Sequence, residues 1–307
     1  MDRLQALRVF TRVARLGSFS AAARELGMSA AAVSRNVSRL ESDLGTELLH
    51  RTTRSVSQTD AGRRCLERAE AIIADMDALD DVIRGEGQGP RGQLRVTAGV
   101  SITEKHLGAA FARFQHLHPD LQLEVILTDE VVDLVKMGID LAVRTGRLED
   151  SSLRARRIST VNTVLACSPN YADEHAIPSD PHDLLRHDLL LDTNLPRRWT
   201  LDGPDDERVA LDVEGSFAVN SARVIRDACR EGLGIALVPT FMCGDDLKSG
   251  RLVRVLPEWT GPAGAMFAVY PGGRHVRTAV RQLIDALVED FGGAPRWDEG
   301  VGGRLAP

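Results

Sequence analysis

The apolar pattern of this chain changes period once, and the change divides it. Through Arg84 the hydrophobic residues recur every three or four positions. From Gln93 they fall into short strand-like runs separated by helical stretches. The first pattern demands helices with one buried stripe, and the second demands an α/β sheet. A length of 307 residues is enough for two or three domains. A hydrophobic content of 43% with 27% charged residues excludes a disordered or collagen-like chain.

In the helical part, Leu4, Leu7, Val9, Phe10, Val13 and Ala14 predict a first amphipathic helix, ended at Gly17-Ser18. Ser18 is placed to cap a short Ala-rich helix (Ala21–Leu26), which Gly27 stops. Ser29 then caps a third helix whose residues Val33, Val37, Leu40 and Leu44 form one buried stripe, with Ala31, Ser34, Arg35 and Ser38 opposite. Two helices joined by a tight turn, the second starting on small residues, make a helix-turn-helix pattern. Small residues let a helix end approach base edges, and Ser and Arg can donate to bases or phosphates. After Gly45, Glu47–Val56 reads as a short hairpin with a basic tip, suited to a wing on the DNA backbone or minor groove. The plain alternative is a helical bundle with arginines on a solvated face.

Charge supports the DNA reading. Residues 1–58 hold nine arginines and five acids, so this part carries +4 while the rest carries −10 of the overall −6. A basic module on an acidic body implies one part for a polyanion and another for something else.

The stretch Phe10–Gly62 contains GSFSAAA, LGMS, AVSR, RLE and LLHRTTR in register. It closely resembles the winged helix-turn-helix of LysR-type transcriptional regulators. The resemblance implies an α/β chain with an all-α winged helix-turn-helix N-terminal domain and a two-lobed, periplasmic-binding-protein-like (type 2) effector domain. It also implies DNA contact by Ser29, Ala30, Ala31, Ser34, Arg35, Asn36, Ser38, Arg39, Arg51 and Arg54. There is one departure. Such regulators often carry a Gln after the capping Ser, followed by Pro or Ser. Here Ala30 and Ala31 stand there, which shifts base readout toward Ser34, Arg35 and Asn36 or toward DNA shape.

Thr59 is placed to cap a helix running to about Arg84. Its stripe Leu66, Ala69, Ile73, Met76, Leu79 and Ile83 either packs on its own domain or pairs with a second chain. The resemblance favours the pairing and implies a homotetramer on an interrupted inverted repeat. The expected organisation is a DNA-binding domain at 1–58, a dimerisation helix and hinge at 59–92, and an effector domain at 93–292. That domain divides into lobe I (93–163 and 265–292) and lobe II (164–264), and a flexible Gly-rich tail follows at 293–307.

In the body, strands are expected at 94–100, 121–127, 139–144, 161–167, 189–191, 199–201, 216–219, 235–238 and 265–270. Helices are expected at 106–117, 131–137, 222–231 and 276–291, and the sheets should be largely parallel. Ligands of open α/β sheets lie at strand carboxyl ends and helix starts, where free N–H groups favour anions. Ser101, Ile102 and Thr103 occupy such a place, as do Asn220 and Ser221. By family analogy Arg144, Gly146, Thr193, Asn194 and Pro239 line the same cleft, and a carboxylate effector suits these donors. Ser101 and Thr103 are equally readable as helix caps, and Arg144 as a partner of Asp140.

No Walker loop, GxGxxG, HExxH or GxSxG occurs, so no catalytic residue and no cofactor is expected. The pairs His116/His118 and His182/His187 lack the spacing of a zinc site, and Cys65, Cys167, Cys229 and Cys243 form no CxxC, so no metal is expected. Cys229 and Cys243 read as small buried hydrophobes rather than oxidant sensors. The start, Met1-Asp2-Arg3-Leu4-Gln5, has no apolar leader, and no run approaches a membrane span, so the expected location is the cytoplasm. The expected partners are double-stranded promoter DNA, a small-molecule effector and further copies of the chain, with RNA polymerase as a candidate and no membrane. An enzyme or solute-binding protein with an incidental helical start is the competing class. A constitutive DNA binder without a ligand is the other alternative.

Overall fold

A computed structural model describes residues 2–51, 56–84, 89–146, 153–272 and 276–305. The side chains of Arg51, of residues 74, 75, 77 and 78, and of residues 80–84 lie outside the description. The hairpin tip with Arg54, residues 85–88 of the linker, His275 and the side chain of Ile83 therefore lie outside the described residues. The chain forms two compact units, one built on the helical N-terminal part together with residues 132–139 and 276–281, and one on the α/β part.

The helical unit comprises α1 (Arg3–Leu16), α2 (Phe19–Glu25), α3 (Ala30–Leu44), the antiparallel strands β1 (Leu49–Arg51) and β2 (Val56–Gln58), and α4 (Asp60–Arg84). The caps are local. Asp2 accepts the N–H groups of Leu4 and Gln5, Ser18 that of Ala21 and Ser29 that of Ala32, while Gly17 and Gly45 end their helices in the left-handed region. Phe10, Val33, Val37, Leu40 and Leu48 are fully buried at the centre of this unit. Leu44, expected in the same stripe, is 39% exposed. It lies at the end of α3, where Leu48 and Leu49 of the hairpin close the core instead.

The α/β unit begins with β3 (Gly92–Ala98), α5 (Val100–Ile102), a π-helical turn (Thr103–Leu107) and α6 (Gly108–Leu117). Then follow β4 (Leu121–Leu127), α7 (Leu134–Met137), β5 (Leu141–Gly146) and β6 (Arg154–Val161). The chain crosses at Asn162 into β7 (Thr163–Cys167), α8 (Pro169–Glu174), β8 (Leu189–Asp192), β9 (Arg198–Asp202) and β10 (Arg208–Asp212). After β11 (Phe217–Val219), α9 (Ala222–Arg230), β12 (Ile235–Pro239), α10 (Thr240–Lys248) and β13 (Val253–Arg254), it returns through residues 255–263 to β14 (Gly264–Tyr270) and α11 (Thr278–Phe291).

Lobe I holds the sheet β4-β3-β5-β14-β6, and lobe II holds β11-β8-β12-β7-β13. The expected largely parallel sheets are mixed. In each lobe three strands run parallel, and the two pairings toward the other edge are antiparallel. The reason is connectivity: strands that pass between lobes enter against the direction of the βαβ strands. The strand expected at 199–201 pairs only with β10, outside the main sheet, yet Trp199 and Leu201 enter the lobe II core. The helix expected from His106 starts instead at Val100, because a carboxylate from a distant loop caps it. The expected helix at 131–137 shrinks to the four residues of α7, capped by Asp133.

The tail expected to be mobile is packed. Trp297 and Val301 are buried, and Arg304 N–H donates to the Pro257 carbonyl at 2.9 Å. Its glycines serve tight turning: Gly300, Gly302 and Gly303 all have φ near +70°.

Candidate nucleic-acid interface and effector cleft

α3 turns its apolar stripe inward, which sets the opposite face outward. Ser29, Ala30, Ala31, Arg35, Ser38 and Arg39 are exposed, and Ser34 is partly so. Arg35 and Arg39 stand one turn apart on one face, and neither has an acidic partner among the described residues. Asn36 is different: its amide donates to the Ala32 carbonyl at 2.9 Å, which turns part of its hydrogen-bonding capacity back onto the helix. Arg51 ends β1.

The hairpin is fixed to α3 by Glu41, whose carboxylate accepts the N–H groups of Leu48 at 3.0 Å and Leu49 at 3.1 Å. Thr59 donates to the Glu47 carbonyl at 2.8 Å and accepts from Gly62 N–H at 2.9 Å, so one hydroxyl both caps α4 and ties it to the hairpin. A Cβ at Gly62 would stand 2.0 Å from the Leu48 carbonyl oxygen, so only glycine fits there. Arg12 and Arg15 serve inside the unit: Arg12 pairs with Glu25, and Arg15 with Glu70 at 2.8 Å. Burial pushes the Glu70 carboxyl up, against the pull of Arg15. The sequence reading missed Glu41 and the role of Gly62. Nothing in the sequence marks Glu41 off from Asp43 two positions on, the other acid of α3.

In lobe I the carboxyl ends of β3, β4 and β5 converge. The Asp129 carboxylate accepts Val100 N–H at 3.0 Å and so occupies the helix start where an anion was expected. Arg144 does not pair with Asp140, whose carboxylate accepts Arg95 N–H. Its guanidinium donates to Thr97 Oγ1 and the Thr128 carbonyl, both at 3.0 Å, and to the Glu130 carbonyl at 3.3 Å. Burial lowers its pKa, and the Asp129 charge opposes that. Ser101 and Thr103 are buried, and neither side chain caps the helix. Ile102, at 2% exposed, belongs to the core rather than to a cleft surface. Thr103 Oγ1 is buried without a partner among the described residues. Gly146 is exposed at the end of β5 with φ +124°.

Lobe II brings Thr193, Asn194, Asn220 and Ser221 together. Thr193 N–H donates to the Val219 carbonyl at 2.9 Å, and the Asn194 amide to the Asn220 carbonyl at 3.0 Å. Ser221 caps α9 by accepting Val224 N–H. Pro239 is buried, closing β12 beside the crossover at Thr163. Asp192 ends β8 and accepts Asn194 N–H at 3.0 Å. Burial raises its pKa against the pull of the Asn194 N–H, and the charge of Asp129 on the other lobe adds a smaller push upward. Neither acid was singled out from sequence. Asp192 ends an apolar strand and Asp129 lies two residues past one, the position where that reading sought only donors.

Cys167, Cys229 and Cys243 are buried, and burial pushes the thiol of Cys167 up to about 11. Cys229 donates to the Ala166 carbonyl at 3.1 Å and, like Cys243, has its pKa raised mainly by burial. Among the described residues no group of three His, Cys, Asp or Glu could hold a metal ion, and no helix is long and apolar enough to cross a membrane.

A helix-turn-helix with exposed arginines, followed by a two-lobed α/β unit, is the architecture of a DNA-binding regulator of transcription. Residues 4–63 match the family model of the bacterial regulatory helix-turn-helix protein, lysR family, and residues 87–292 match the LysR substrate binding domain. The HTH-type transcriptional regulator PtxR of Pseudomonas aeruginosa is 36% identical over 295 residues, covering 95% of this chain and 94% of that protein. The structure of CrgA, a LysR-type regulator from Neisseria meningitidis, is 30% identical with a TM-score of 0.61, covering 94% of this chain and 99% of that one. The full-length structure of the virulence activator AphB of Vibrio cholerae is 30% identical with a TM-score of 0.60, covering 93% and 98%. The chain belongs to the LysR family of transcriptional regulators.

Proposed function

We propose that this regulator binds promoter DNA sequence-specifically through the outer face of α3 and the β1–β2 wing, in the cytoplasm, as a dimer of dimers joined through α4. The observation that carries the reading is the pair Arg35 and Arg39, exposed one turn apart above a stripe that is fully buried. Ser29, Ala30, Ala31, Ser34 and Ser38 supply a low surface around them, while Asn36 contributes through its remaining acceptor. Arg51 and Arg54 are assigned to phosphates, and RNA polymerase is a further partner of the DNA-bound form. Arg35→Ala should weaken binding to the natural operator by ~1–3 kcal/mol more than binding to random duplex, as expected for loss of a base contact. Equal loss on both duplexes assigns Arg35 to phosphate, and no loss on either removes it from the interface.

For the body we propose a small effector between the lobes. A carboxylate, expected from the donors, keeps its support on the lobe II side only at the start of α9, where the Asn220 side chain is exposed without a partner among the described residues, while the Thr193 N–H and the Asn194 amide are taken by carbonyls. On lobe I, Asp129 fills the helix start and Arg144 is engaged by carbonyls, so these two no longer argue for an anion. A thermal-shift screen of small carboxylates on wild type and Asn220→Ala tests this. Stabilisation lost in the variant supports it, and none with any carboxylate turns the reading toward a different effector or a constitutive binder.

A further inference from the structure

We propose that residues 293–305 are a strap that locks the two lobes of the effector domain to one another, with Trp297 as its key. The strap leaves α11, on the lobe I side of the chain, and runs onto lobe II. The Trp297 ring is buried with its centroid 4.8 Å from His106 of the π-helical turn and 5.9 Å from Phe291, both on the lobe I side. It lies 6.4 Å from Phe241 of α10 in lobe II.

The same junction carries direct cross-lobe bonds. The His106 ring N–H donates to the Phe241 carbonyl at 2.8 Å. Lys105 Nζ donates to the Met242 carbonyl at 2.9 Å and pairs with Asp245 at 3.0 Å. The π-helical turn sets these two consecutive side chains against α10, and such turns are rare and concentrate at functional places.

Both segments on which the lobes would hinge are also tied to the strap. At the first crossover, the Asn162 amide donates to the Asp298 carboxylate at 2.8 Å. At the second, Arg304 N–H donates to the Pro257 carbonyl at 2.9 Å. Arg254 holds the carbonyls of Pro257 and Gly302 at once, at 3.1 Å and 2.5 Å. The sequence gives up helix propensity for this path: Gly244 lies inside α10, where a Cβ would stand 2.3 Å from the Trp297 carbonyl oxygen.

The lock is releasable. Trp297 Nε1 and Asp298 Oδ1 are buried without partners among the described residues, which weakens the docked state relative to one in which they reach water. A cavity of about 450 Å³ beside Trp297, lined by Lys105, Arg113 and Glu289 among others, leaves room for the segment to shift. An effector that alters the lobe arrangement thus works against a built-in restraint rather than on a free hinge.

Hydrogen exchange on the full-length protein tests this with Trp297→Ala and, approaching from the opposite side of the contact, Gly244→Ala. Both should speed exchange about tenfold in peptides spanning 158–165 and 252–263 and in the first turn of α10, while β3 and β8 stay protected. Faster exchange confined to 293–305 would show a local decoration. Faster exchange of β3 and β8 to the same degree would show an ordinary core residue. Either result overturns the proposal.

Discussion

Single atoms decide two positions. At Gly62 the missing Cβ lets α4 pass the Leu48 carbonyl, which is itself part of the wing anchored by Glu41. Gly62→Ala should therefore cost ~1–3 kcal/mol by overpacking, read as a lower unfolding midpoint of the helical unit in chemical denaturation. An unchanged midpoint would mean that the hairpin yields without cost. Arg144 makes a different case. Its three hydrogen bonds bind the ends of β3, β4 and β5, so Arg144→Ala should lower effector-domain stability by ~1–3 kcal/mol whatever it does to effector response. Wild-type thermal unfolding of that variant would return Arg144 to the ligand. These roles were only half legible. Arg144 was singled out in the sequence and Gly62 was not, and the atoms both meet come from residues 14 to 47 positions away.

At the scale of elements, legibility followed the range of the interaction. The caps Ser18, Ser29 and Thr59 and the stops Gly17, Gly27 and Gly45 act within four residues, and the helices they bound were readable from spacing alone. The start of the first lobe I helix was not, because its cap, Asp129, lies 29 residues downstream. The packed tail was misread for a related reason: its glycines signal tight turns and flexible linkers alike, and only the pocket for Trp297 distinguishes them. The stripe of α4 divides in the same way. Ala69 is buried, Leu66 packs on the helical core and Ile73 is partly buried, whereas Met76 and Leu79 are 39% and 48% exposed, as is their neighbour Ile72 beside the stripe at 52%. An apolar surface of this length on an isolated helix end asks for a cover. Leu79→Glu should shift the sedimentation of the full-length protein toward monomer with the unfolding midpoint unchanged. Unaltered assembly would move the dimer contact elsewhere.

For the whole molecule, charge separates what binds DNA from what does not. The first 58 residues carry +4 and the remainder −10, so a random approach of the acidic body to a duplex is repelled while the helical unit is drawn in. Of the nine arginines in residues 1–58, Arg12 and Arg15 are spent on Glu25 and Glu70 and cannot also neutralise phosphates. Of the others, Arg51 and Arg54 are assigned to phosphates, about two phosphate contacts per unit and about four per dimer, while Arg35 is assigned to a base. Each phosphate neutralised releases condensed counterion, which gives a slope of about −4 in log affinity against log salt and a loss of about two decades between 50 and 200 mM. Arg54→Ala in both chains of a dimer should flatten that slope by about 2 while leaving the preference for operator over random duplex intact, because a phosphate contact carries no base information. A slope shallower than about −2 for the wild-type dimer would mean that most of these arginines stay in water. The interface would then have to rest on shape and base contacts that α3 alone, with Ala30 and Ala31 at its start, is poorly equipped to make.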